Sequence, residues 1–168
     1  MLSNCVYSYY DEEEYKEFIK AILRLFRACP EYKMWLNMYD RTECAATGLS
    51  KEIDGVDIEL HHYNITLWDW VEIILEKFNE ENLPMNSFII CNILTDLHLS
   101  NCIPCICLSQ NVHKQIHANY DKTIEMYPRL LEMVNKGNIN KAEQTIEYHI
   151  QLLKNTLIDE KRALEDEH

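Results

Sequence analysis

Residues 58–70 read IELHHYNITLWDW, a short apolar–polar alternation that ends in two adjacent histidines just before a new pattern begins. Val56, Ile58 and Leu60 alternate with Asp57 and Glu59, the period-two signature of a half-buried strand. Asp54-Gly55 immediately upstream is a tight-turn signal, so the expected local structure is a β-hairpin whose second strand delivers His61 and His62. Successive strand residues point to opposite faces. The two imidazoles therefore face different surroundings and cannot share one task. Thr66 then serves as N-cap for a helix, LWDWVEIILEKFNEE.

Working toward the N-terminus, Tyr15, Phe18, Ile19, Ile22, Leu23, Leu25 and Phe26 recur at helical spacing, with Asp11 to Glu14 placing negative charge on the first turn. Cys29-Pro30 ends that helix, and PEYKMWLNMY starts a second at its proline. Toward the C-terminus, ENLPMNS breaks the Thr66 helix and SFIICNILTDLHLS begins another. IPCICLS reads as a strand or extended segment with proline at its start. TIEMYPRLLEMV is a helix interrupted at Pro128, NKGN is a turn, and a long helix runs from Asn140. Its apolar stripe is Ile146, Ile150, Leu153 and Leu157, and its last few residues are expected to fray. With 168 residues and only three glycines and four prolines, the expected class is α+β and mainly helical. The chain reads as one compact domain with three parts: a helical segment 1–43, a central core 44–119 carrying a helical insertion at 66–100, and a helical segment 120–168.

Twenty-eight acidic residues against 16 basic ones give a formal charge of −12. Such a field repels nucleic acid and anionic membranes at long range, leaving room only for a local basic patch. Seven cysteines, with no apolar leader behind a basic start, suggest reduced thiols rather than a disulfide framework. No apolar run approaches the roughly 20 residues that span a bilayer. The expectation is a soluble cytoplasmic protein with no membrane partner.

Four of the seven histidines fall in two clusters, His61-His62 and His113-x-x-x-His117. On a helix, the i, i+4 pair lies on one face at about 5–6 Å between Cβ atoms, a spacing that suits two ligands of one ion. Taken singly, each cluster is more often packing or surface. Together, with strand and helix contexts, they point to a metal-binding or metal-derived site. Cys102-x-x-Cys105-x-Cys107 is open to two readings: buried small hydrophobes, which is favoured, or a zinc half-site of Cys102 and Cys105 completed by Cys44 or a histidine. Trp68 and Trp70 flank Asp69 at a helix start, where aromatics usually pack on a neighbouring helix. His98 and His149 lie in helical patterns and show no partner in the sequence.

A strand ending in His61-His62 followed later by LSQNVHKQIH resembles the two halves of the HNH, or His-Me finger, nuclease motif, and CAATGLSKEIDGVDIE resembles the segment that feeds its first strand. The resemblance implies a ββα-metal core in which His61, His113 and His117 hold one divalent ion and His62 activates water for phosphodiester hydrolysis. Imidazole ligands favour Zn²⁺, Ni²⁺, Mn²⁺ or Co²⁺ over Mg²⁺. The family's orienting Asn has no clear match; Asn101 lies nearest, with Pro104 close to where it should stand. Phosphate contacts fall to Arg41, Lys51 and Lys114. Small acidic proteins of this look are similar to those that bacteriophages encode, so the cytoplasm would be that of the infected host. Two functions follow, beside a third reading, a purely structural, metal-stabilised helical protein. One is an endonuclease acting on DNA or RNA. The other is a catalytically silent acidic protein on the same fold, an inhibitor that occupies a basic nucleic-acid-binding or defence factor of the host. Pairing of two copies through the last helix is a further expectation.

Overall fold

The first helix, α1 (Glu12–Ala28), begins where the Asp11 carboxylate accepts the Glu14 N–H at 2.9 Å and three glutamates occupy the first turn. It buries Phe18, Ile19, Ile22, Leu23 and Phe26, the stripe read from its spacing. Cys29 turns the chain in extended conformation and its sulfur accepts the Tyr32 N–H, so α2 (Pro30–Met38) starts with proline in the first turn. The structure, a computed structural model, describes residues 11–63, 65–128, 130 and 137–166. The first ten residues, most of RLLEMV, the start of NKGN and the last two residues lie outside them.

The strand region corrects the hairpin expectation. Asp54-Gly55 is not a hairpin turn: Lys51–Asp54 form a one-turn helix, α3, capped at its start by Ser50 and at its end by Gly55 at φ 66°. Glycine adopts that left-handed geometry without a Cβ clash. The strand β1 (Ile58–His62) finds its partner far downstream, in β2 (Cys105–Ser109). The pair is antiparallel, with His61 opposite Ile106 and His62 opposite Cys105. These two strands form the sheet among the described residues.

Between the strands lie α4 (Leu67–Glu80) and α5 (Ser87–Leu99). A reciprocal capping box starts α4, with Thr66 accepting from the Asp69 N–H and Asp69 accepting from the Thr66 N–H. β2 runs without a loop into α6 (Gln110–Ala118), followed by α7 (Tyr120–Met126). The last helix, α8 (Ile139–Asp166), starts where Asn138 accepts the Lys141 N–H. No helix among the described residues is long and apolar enough to cross a membrane.

Two apolar clusters organise these elements. The larger gathers Phe26, Val71, Ile74, Phe78, Ile90, Leu94 and Leu97 from α1, α4 and α5 with Ile146, Ile150 and Leu153 from α8. The smaller sits beneath the sheet and α6, where Ile106, Leu108, Val112 and Ile116 surround the fully buried Cys44. The protein is therefore mainly helical, with a small antiparallel strand pair and a long C-terminal helix. The order β1, helical pair, β2, α6 places a strand and a helix side by side over the smaller core.

Candidate metal centre

His61 and Glu59 share one face of β1, and that face is turned toward α6. On α6, Val112 and Ile116 are buried against the smaller core, which leaves His113 and His117, one position on, along the edge nearest β1. The result is convergence of three imidazoles. His61, His113 and His117 each offer a ring nitrogen, and these nitrogens lie within 4.8 Å of one another. Among the described residues this is the group of three or more histidine, cysteine or carboxylate side chains close enough to hold an ion. The exposure is graded. His61 is buried at 8% exposure, His113 is half-buried and His117 is exposed, so the cluster opens to solvent on the α6 side.

Hydrogen bonds set the protonation of this cluster. The His113 Nδ1–H donates to Glu59 Oε2 at 2.5 Å, so its Nε2 is an acceptor, and it takes the His117 Nε2–H at 3.0 Å. A carboxylate behind a histidine is a common support for metal ligation, since it fixes the tautomer and the ring plane. The His113 bond holds the Glu59 carboxyl below its ordinary range. Burial, and then the neighbouring His113 and His117, push His61 down to about 4. Near neutral pH it is therefore an uncharged imidazole. Three imidazoles, one braced by a carboxylate and with an open side, form a donor set that fits a borderline divalent cation such as Zn²⁺, Ni²⁺ or Mn²⁺.

His62 points the other way, as strand alternation requires. Its Nε2 lies 3.1 Å from Nε2 of His98 on α5. The His98 Nδ1–H donates to the Leu94 carbonyl at 2.6 Å, so His98 Nε2 is an acceptor and His62 donates to it. His98, 1% exposed, is boxed by Phe26, Tyr32 and Trp35 with ring centroids at 4.9, 5.3 and 4.7 Å. Burial, then His98 and Arg27, push His62 down to about 3, and burial pushes His98 to about 4. His98 thus has a partner that the helical pattern did not disclose. His149 has one too, its Nε2 standing 2.7 Å from Asp96 Oδ2.

A cleft of about 380 Å³ joins both faces of β1 to the helices around it, and His61, His62, His113 and His117 all line it. Arg27 from the end of α1 and Trp68 from the start of α4 complete its wall. Arg27 is the cation that the sequence reading missed; its α1 position gave no hint of proximity to histidines so far downstream. The expected phosphate contacts lie elsewhere. Lys51 stands 3.4 Å from Asp57 on the far side of α3, Lys114 projects from α6 near Glu59, and neither of these nor Arg41 is among the residues lining the cleft. Asn101 occupies a left-handed turn after α5, at φ 55°, and is likewise not in the cleft wall.

Among the described residues the cysteines do not assemble into a metal-binding group. Cys102 and Cys105 are buried in the larger core while Cys44 belongs to the smaller one. Burial raises both the Cys102 and Cys105 thiols, Cys105 to about 12, which suits small apolar packing better than thiolate ligation. Trp70 is buried in the larger core, whereas Trp68 is half-buried against the cleft.

No curated relative and no solved structure is detectably similar to this chain. A family model, however, matches it almost end to end. Over residues 3–166 the chain fits the model of the bacteriophage G278-like virion proteins, and it belongs to that phage family.

Proposed function

We propose that the chain is a divalent-metal-dependent phosphodiester hydrolase of the phage, with His61, His113 and His117 as the metal ligands. The observation that carries this reading is the convergence of those three imidazoles from β1 and α6 with Glu59 behind His113. Structural zinc sites are usually closed by four protein ligands, whereas hydrolytic sites keep three and an open position. Here there are three ligands, and one of them faces solvent. A divalent cation in that place supplies Lewis acidity toward a phosphoryl oxygen. The protein contributes orientation: Glu59 holds the His113 tautomer, burial keeps His61 neutral, and the cleft admits substrate alongside His62. In this reading His62, which faces α5 but lines the same cleft as the three ligands, takes the proton of a water entering from that cleft through Nδ1, because its Nε2–H is committed to His98. The strand-pair-and-helix layout around the cluster supports the likeness to the HNH pattern.

One observation favours a second reading, a catalytically silent acidic protein that occupies a basic site on a host factor. A base near pKa 3 is far from the near-neutral value that general-base catalysis favours, and the formal charge is −12. Purified protein incubated with plasmid and with short oligonucleotides in Mn²⁺, Ni²⁺, Zn²⁺ or Mg²⁺ decides between them. Hydrolysis expected under the first reading disappears in His117→Ala together with metal, and in His62→Ala with metal retained. Metal binding without cleavage by any cation refutes the first and favours the second. Failure of the wild-type chain to bind metal at all refutes both as metal-centred readings.

A further inference from the structure

Resting on the metal-centre reading above, we infer that the cleft is built for a single strand of nucleic acid, with Arg27 holding a phosphate and Trp68 stacking an unpaired base. Arg27 lines the same cleft as the four histidines, close enough for its charge to act on His62, and is exposed, and no carboxylate pairs with it among the described residues. In a chain with twelve more acidic than basic residues, a guanidinium on the wall of this cleft without an acidic partner is set for an anion brought from outside. Its planar fork suits a phosphate better than a lysine would. Its position on the last turn of α1 also favours the helix dipole, but that alone does not require it to face the cleft.

Trp68 supplies the second contact. Its neighbour in the capping box, Asp69, is turned to the helix N-terminus, and Trp70 is buried in the core. Trp68 is thus the half-buried tryptophan of this helix, presented on the cleft wall. An indole there offers a stacking surface that any base can use. Size and charge both select against a duplex. A volume of about 380 Å³ lies toward the low end of small-ligand pockets, room for a nucleotide unit and not for paired strands. A duplex also carries a charge per roughly 1.7 Å of axis, and beyond the cleft the acidic surface repels each of them. One guanidinium and one bound dication can neutralise a phosphate or two. They do not offset a duplex.

The test uses the full-length protein and fluorescein-labelled hexathymidylate, with a labelled 16-base-pair duplex beside it, followed by anisotropy with and without Zn²⁺. Zinc affinity is measured separately by chelator competition. The expected result is preferential binding of hexathymidylate, about ten-fold or more weaker in Arg27→Ala, partly restored in Arg27→Lys, and about ten-fold weaker in Trp68→Ala but nearly normal in Trp68→Phe. Zinc affinity should be unchanged in all four variants. Duplex bound as tightly as hexathymidylate, or Arg27→Ala and Trp68→Ala binding it like the parent, overturns the inference. Zinc binding with no oligonucleotide binding overturns it and leaves the metal centre standing. Arg27-dependent oligonucleotide binding without zinc binding supports the cleft and overturns the metal centre.

Discussion

Replacing Glu59 by alanine tests whether the histidine cluster is organised for a cation or merely crowded. The carboxylate accepts the His113 Nδ1–H at 2.5 Å and is held below its ordinary range by that bond. Without it, the His113 ring is free to rotate and to place its proton on the nitrogen that must face the metal. Loss of a supporting partner of this kind typically lowers metal affinity by about 10- to 100-fold, or about 1.4–2.8 kcal/mol. The side chain is 39% exposed, so the fold itself should change by no more than about 0.5 kcal/mol. Glu59→Gln keeps an acceptor oxygen and should fall between parent and alanine. Competition against a chromophoric zinc chelator at pH 7 gives the affinities, and a urea titration of the metal-free proteins gives the stabilities. If Glu59→Ala binds zinc as tightly as the parent while His113→Ala loses it, the carboxylate has no part in ordering the site and the supporting role argued above is refuted.

His117 is exposed, so His117→Ala should abolish tight zinc binding while leaving metal-free stability within about 0.5 kcal/mol of the parent; retained zinc affinity in a titration would exclude it as a ligand. Acid should destabilise the protein through its buried imidazoles. His98 moves from an ordinary 6.5 to about 4 on folding, so the unfolded chain binds its proton first, and stability present above pH 6.5 is lost as pH falls toward 4. For His98 alone the loss at pH 5 is about 2 kcal/mol, and equal urea midpoints at pH 7 and pH 5 would contradict it. Gly137 sits at φ 62° and a Cβ there would come within 2.2 Å of the Cys102 carbonyl oxygen. Gly137→Ala should therefore cost about 2 kcal/mol or more, visible as a lower thermal midpoint. Phe78 is fully buried in the larger core, and Phe78→Ala should cost about 3–5 kcal/mol by chemical denaturation.

Among the elements, those legible in advance share a local cause. The Thr66 cap, the acidic first turn of α1, the proline that opens α2, and the apolar stripes of α1 and α8 are properties of residues three or four apart, where backbone geometry and side-chain spacing act without help from distant parts of the chain. The hairpin failed for the complementary reason. Asp54-Gly55 is a turn signal in either context, and only the pairing of β1 with β2 across α4 and α5 shows that the turn ends a helix. Alternation correctly separated His61 from His62, but it carried no information about what each would face.

What the sequence determined by itself is therefore the main helices and the division of labour at the doublet: two histidines that face opposite sides of one strand. Tertiary structure decided the rest. It put Glu59 behind His113, tied His62 to a histidine thought to be without a partner, removed Arg41, Lys51, Lys114 and Asn101 from the cleft, and brought Arg27 to it. Such contacts join residues dozens of positions apart, and they are set by how the apolar faces of α1, α4, α5 and α6 pack. A pattern with a period of two or four residues describes each face, but not which face it will meet.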